Sequence, residues 1–126
     1  MKKQILIIED NPDSSLIMKD TVEDLKFEPI QFYNGETAIK YIKDIKEDTK
    51  IVLVLLDYLM PGANGIEVAK ALRNNTFTRN IPIVFDTVLY QHEIKSNTEG
   101  LNIKRFLRKP VDFVELEECI REELKL

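Results

Sequence analysis

Five side chains stand out by type and position: Glu9 and Asp10, Asp57, Thr87 and Lys109. All of them follow short apolar runs, where a buried strand gives way to a loop. Carboxylates gathered at such strand ends repel one another; a pair roughly 4 Å apart costs about 4 kcal/mol at an effective dielectric near 20. A divalent cation relieves that repulsion, and an all-oxygen donor set with no His or Cys nearby selects a hard ion, Mg²⁺ over Zn²⁺. The backbone carbonyl of Leu59, just past Asp57, is a further candidate ligand. A metal, an ammonium and a hydroxyl around one carboxylate make a site for an anion, and a phosphoryl group is the chemical match. Asp57 would attack as nucleophile while Lys109 and the metal neutralise charge on the transferring oxygens. Thr87 would donate a hydrogen bond to the group once attached. Singly, each residue has a plainer role: Asp57 or Thr87 capping a strand end, Lys109 as a surface charge. Their joint occurrence at successive strand ends favours the chemistry.

The elements that must position these residues are legible in order. Ile51, Val52, Leu53, Val54, Leu55 and Leu56 form an unbroken apolar run, the mark of a strand buried on both faces of a parallel sheet. Pro61-Gly62 then enforces a loop after Asp57. Residues 5–8 make a first strand ending in Glu9-Asp10, and Asn11-Pro12-Asp13 opens a helix for which Asp13 is the expected N-cap. Met18, Val22 and Leu25 form the inward stripe of that helix. A second strand covers 28–32, where Pro29 removes a ladder donor and predicts a sheet edge. Asn34-Gly35 begins a helix with Ala38, Ile39, Ile42 and Ile45 inward; Asn64-Gly65 precedes another with Ile66, Ala69 and Leu72 inward. The fourth strand is expected at 81–85, closed by Asp86-Thr87. A thinly apolar helix over 88–101, with Val88, Leu89 and Ile94, ends at Asn102. The fifth strand, 105–108, leads into Lys109-Pro110, and Asp112 caps a last helix carrying Phe113, Leu116, Ile120 and Leu124.

Five strands alternating with five helices predict an α/β fold, a flavodoxin-like doubly wound parallel sheet in the order 2-1-3-4-5. Its switch point lies between strands one and three, the two that end in acid.

At 126 residues the chain is expected to be one stand-alone domain spanning 1–126 with no output domain. Its 44% hydrophobic and 32% charged content is that of a soluble globule, and a net charge of −4 argues against nucleic-acid binding. No apolar run approaches the roughly 20 residues of a membrane span. The absence of a signal-peptide core predicts a cytoplasmic location. The single Cys119 excludes an internal disulfide and is expected to pack in a helix. His92, the only histidine, has no phosphate cradle around it.

With these residues in place, the sequence resembles the receiver domains of two-component response regulators over nearly its whole length. The carriers are Glu9-Asp10, Asp57, Met60-Pro61, Gly65, Thr87 and Lys109-Pro110, with the spacing of chemotaxis-type regulators. The resemblance implies that Asp57 accepts phosphoryl from a sensor histidine kinase or histidine phosphotransfer protein. It implies Mg²⁺ on Asp10, Asp57 and the Leu59 carbonyl, with Glu9 acting through water, and a cis Lys109-Pro110 bond. Phe106 stands at the aromatic switch position and would turn inward as Thr87 moves, reshaping the face of helix four, strand five and helix five. Catalysis would be confined to the chain's own phosphoryl transfer and dephosphorylation. A downstream protein target is expected, with neither nucleic acid nor membrane, and the chain as monomer or weak dimer.

Departures from the pattern are Val88 where a small residue is usual, Asp86 beside the site and Asn102 in place of a glycine. Apolar Leu59 and Leu89 predict slow self-dephosphorylation. Lys104, Arg105 and Arg108 read either as a docking patch or as solvated charges. An adaptor, a phosphorelay intermediate and a receiver-like module that is never phosphorylated stay open. A haloacid-dehalogenase-type hydrolase is disfavoured, because its general-acid position is occupied by Leu59.

Overall fold

Apolar runs separated by amphipathic segments leave a chain few ways to hide both faces of a sheet. The computed structural model, which describes residues 2–126, takes the expected one. Its elements in order are β1 (Gln4–Ile8), α1 (Pro12–Asp24), β2 (Glu28–Phe32), α2 (Gly35–Lys43), β3 (Ile51–Asp57), α3 (Gly65–Asn74), β4 (Ile83–Thr87), α4 (Gln91–Ile94), a 3₁₀ turn (Lys95–Thr98), β5 (Arg105–Arg108) and α5 (Phe113–Leu124). All strand pairs are parallel and the order is β2-β1-β3-β4-β5, as the pattern predicts. β2, with Pro29, lies at the edge.

Strand alternation divides the core into two layers. Leu6, Ile8, Val54, Leu56, Ile83 and Phe85 face α2 and α3. Ile5, Ile7, Leu53, Leu55 and Val84 face α1 and α5, where Met18, Val22, Leu116, Cys119 and Ile120 meet them. Each fully buried Ile, Leu or Phe side chain stabilises the fold by about 1.5–3 kcal/mol. Cys119 is buried as expected, and burial pushes its thiol up to about 11.

Several boundaries differ from expectation. Asn11, not Asp13, is the N-cap of α1, accepting from the Ser14 amide at 3.0 Å. Pro12 holds the first helical position, so the residue before it must be the extended cap, and Asp13 falls in the first turn. Asn34, Asn64 and Asp112 cap α2, α3 and α5 in the same manner. β4 begins at Ile83, because Pro82 and the preceding turn delay pairing. The helix expected over 88–101 shrinks to α4 and one 3₁₀ turn. Ser96, Asn97 and Thr98 are poor helix formers, and Gly100 and Asn102 take left-handed φ of 81° and 53°. Phe113 does not point inward: in the first turn of α5 its side chain leans toward the helix start and stays exposed.

The connections bordering this weak segment are tied down by Arg73, which the sequence reading passed over. From α3 it donates Nε to the Leu101 carbonyl at 2.7 Å, Nη1 to those of Ile81 and Arg79 at 2.7 and 2.9 Å, and Nη2 to that of Asn102 at 3.3 Å.

Candidate functional site

The sheet register brings the singled-out residues together. Asp57 ends β3 directly opposite Asp86 on β4, and Thr87 of β4 lies opposite Arg108 at the end of β5. The Lys109 amide donates to the Thr87 carbonyl at 2.7 Å, which continues the ladder by one residue and carries the lysine to the same rim. The peptide bond from Lys109 to Pro110 is cis.

Alternation then sorts the side chains. Asp57 and Asp86 follow the α1/α5 parity of their strands, as do Glu9 and Lys109 just past β1 and β5. Thr87 follows the opposite parity with Phe85 and Phe106. The charged centre and the hydroxyl-aromatic pair thus share one rim but belong to different layers.

Lys109 is the hub of the charged centre. Its Nζ lies 3.1 Å from Glu9 Oε1, 3.2 Å from Asp57 Oδ2 and 3.9 Å from Asp86 Oδ2, and it donates to Glu9 Oε2 at 3.2 Å. The Asn11 amide also donates to Glu9 Oε2, at 3.1 Å, so the α1 cap residue helps orient this acid. Asp57 Oδ1 accepts from the Leu59 amide at 3.2 Å. Asp57 is 2% exposed and forms the floor of a cleft. That cleft, about 480 Å³, is lined by Asp10, Asn11, Pro12, Ser14, Asp57, Leu59, Val88 and Lys109.

Three buried acids therefore share one ammonium. Burial raises the Asp57 carboxyl first, and the close approach of the Asp10 and Glu9 carboxyl groups and the charge of Asp86 lift it further, to about 9. Asp86 is pushed well above the usual carboxylate range by burial and then by the charge of Glu9, with Lys109 opposing. Burial alone would lower Lys109, but Asp86, Glu9 and Asp57 outweigh it and hold the ammonium above its ordinary range. Such a centre has an unmet demand for positive charge. Glu9, Asp10 and Asp57 each offer a carboxylate oxygen, all within 4.8 Å of one another. Glu9 Oε1 and Asp57 Oδ2 are buried and accept no hydrogen bond. An oxygen-only set of this charge fits a hard divalent ion.

In the other layer, Thr87 is 1% exposed and its Oγ1 accepts from the Leu89 amide at 3.1 Å. Phe106, half-buried, stacks on Phe85 with ring centroids 6.0 Å apart, and Phe85 meets Tyr58 edge-on at 5.4 Å. Arg105 pairs with Glu122 at 3.1 Å, and the Arg108 guanidinium lies 3.7 Å from the centre of the Tyr90 ring. What the sequence reading left without an account is the burial of Asp86; counting strand parity from Val84 would have placed it among the acids.

A family model described as the response regulator receiver domain matches residues 5–121. The transcriptional regulatory protein CrdR of Helicobacter pylori is 31% identical over 121 residues, covering 96% of this chain and 54% of that protein. The chain thus spans about half the length of that relative. The polar-differentiation response regulator DivK of Brucella anthropi is 26% identical over 98% of both chains. Among solved structures, the receiver domain of the sensor histidine kinase PA1611 of Pseudomonas aeruginosa superposes with a TM-score of 0.83 at 19% identity, covering 100% of both chains. Its title records a magnesium ion coordinated in the active-site cleft of that protein.

Proposed function

Because the chain belongs to the response regulator receiver domain family, we propose that it is a phosphorylation-controlled switch in which Asp57 accepts a phosphoryl group from a phosphohistidine. The donor is a sensor histidine kinase or a histidine phosphotransfer protein. An Asp57 carboxylate oxygen attacks phosphorus, the P–N bond breaks, and its electron pair leaves with the imidazole. The observation that carries the reading is the charged cleft floor: Lys109 at 3.2 Å from Asp57, with Glu9 and Asp10 gathered beside it.

Asp10 and Asp57, the Leu59 carbonyl and, through a water, Glu9 would hold Mg²⁺. When bound, the ion supplies the positive charge that offsets the gathered acids and the phosphoryl oxygens. Lys109, already oriented by Glu9, stabilises the transferring group from the opposite side. Thr87 then gives up the Leu89 amide and turns its hydroxyl toward the phosphoryl group, which frees the segment leading into α4. Phe106, in the same layer, follows by repacking against Phe85. The change emerges on the α4–β5–α5 face, where a downstream protein reads it. One covalent dianion suffices if the two states lie within a few kcal/mol of each other.

Incubation with acetyl phosphate and Mg²⁺, followed by intact-mass measurement, tests this reading. The parent protein gains one phosphoryl group and Asp57→Asn gains none. Removal of acetyl phosphate then leaves the mass for longer than seconds, since exposed Leu59 and half-buried Leu89 put apolar surface near the approach of water. A parent protein that never gains the mass would overturn the proposal.

A further inference from the structure

The edge of the sheet opposite the acidic cleft collects the amino ends of the parallel strands, and the chain sets a lysine at three of them. Lys3 precedes β1, Lys26 stands two residues before β2 and Lys50 precedes β3. α5 runs back to the same edge, where Lys125 follows its last turn. The Gln4 amide donates to the Lys50 carbonyl at 2.9 Å and the Glu28 amide to the Lys3 carbonyl at 3.0 Å, so the strand starts are held side by side. All four lysines are exposed, and among the described residues none has its ammonium within 4.0 Å of a carboxylate oxygen. Glu28 instead takes a hydrogen bond from Gln4 Nε2 at 2.6 Å, and Glu122 pairs with Arg105. Asp24 and Glu123 temper the positive charge at this end without pairing with it. Among these lysines opens a cavity of about 140 Å³, lined by Lys3, Phe27, Val52, Leu124 and Leu126. Phe27, Val52 and Leu124 are half-buried and pack against the core layer under α1 and α5, so the apolar wall is recessed. An apolar cavity of roughly 150 Å³ takes a ring the size of benzene, so this one has room for a single leucine or phenylalanine side chain.

We propose that this edge docks an acidic peptide segment of a partner protein, which inserts one leucine or phenylalanine into the cavity and sets its carboxylates against the surrounding lysines. Two features select this occupant. Lysines carried by four separate segments border the cavity, more cations than one free small carboxylate can meet. A membrane surface asks for protruding apolar residues, whereas of the four apolar lining residues only Leu126 is largely exposed, at 58%. The chain as a whole carries a net −4, which repels an acidic partner everywhere else and confines recognition to this edge. The site lies across the sheet from Asp57; it does not depend on that residue accepting phosphoryl, and its test does not read phosphorylation.

The test is titration of the ¹⁵N-labelled protein by NMR at low salt with a blocked peptide, Asp-Glu-Leu-Asp-Glu. Two control peptides carry serine in place of the leucine, or asparagine and glutamine in place of the acids. Saturable shifts at the Lys3, Phe27, Val52 and Leu126 amides are expected with the acidic leucine peptide. Burial of the leucine should make it bind at least about tenfold tighter than the serine peptide. The uncharged peptide should give no saturable shift. Lys3→Glu combined with Lys50→Glu, both exposed and far from the cleft, is expected to weaken the leucine peptide by about tenfold, and added salt to weaken it in the parent. Val52→Met, which lengthens a wall residue, should bring the leucine peptide down toward the serine peptide. Equal binding by the leucine and serine peptides, affinity unchanged by the double charge reversal, or shifts confined to other amides would each overturn the site. Binding to phosphatidylglycerol vesicles with no saturable shift from the peptide would overturn its assignment to a partner protein.

Discussion

Replacing the proposed acceptor should make the metal-free protein more stable. Asp57 is buried among Glu9, Asp10 and Asp86 with one shared lysine, and its carboxyl is raised from 3.8 to about 9. A group whose folded value is raised contributes fully only below its unfolded value, and that contribution drains away as pH climbs through the folded value. Each unit is worth about 1.4 kcal/mol, so near pH 7 the penalty has a ceiling of roughly 4 kcal/mol. Relaxation of the cleft and loss of the Lys109 contact reduce this, leaving an expected gain for Asp57→Asn of about 1–3 kcal/mol. For a domain of this size that raises Tm by about 3–10 °C. The assay is thermal unfolding by circular dichroism in EDTA at a series of pH values from 5 to 8. The gain should grow with pH, by up to about 1 kcal/mol per unit, and fade as pH falls toward the ordinary carboxylate range. Added Mg²⁺ should stabilise the parent and not the variant. A variant no more stable than the parent, or a gain independent of pH, would refute the electrostatic account of this centre.

Other expectations follow from the geometry that supports the site. Gly65→Ala would place a Cβ 2.6 Å from the Asp57 carbonyl oxygen and 2.7 Å from Phe85 Cε1. Neither atom can retreat easily, so urea denaturation should show a loss of about 2–4 kcal/mol; a loss below about 0.5 kcal/mol would mean the turn after Asp57 is looser than described. Arg73→Ala strips the donor from the carbonyls of Leu101, Arg79, Ile81 and Asn102 and should cost about 2–4 kcal/mol. Arg73→Lys should recover only part of that, since a single ammonium cannot span four acceptors. Full recovery in the same denaturation assay would show that charge alone, and not the guanidinium fork, holds these segments.

Much of the molecule was decided locally. Apolar runs at 5–8 and 51–56, Pro29 on β2 and the Asn-Gly pairs at 34–35 and 64–65 specify strands, an edge and helix starts through short-range sterics and capping. Those residues suffice for the sheet order and for the convergence of Glu9, Asp10, Asp57, Thr87 and Lys109 on one rim, because right-handed parallel crossovers put every strand's carboxyl end on the same side. What the linear pattern left open depends on contacts between distant elements. The segment after Thr87 has helical spacing but too few anchors, and Arg73, from α3, ties down its flanking connections instead. Asp86 reads as an extra charge beside the site at the end of the fourth strand, yet only register with Asp57 and the parity of β4 show it buried beside Lys109. Burial depth and the sharing of one ammonium among three acids are many-body quantities; they exist only once β1, β3, β4 and the residue after β5 have met, and they set the charge state of the site.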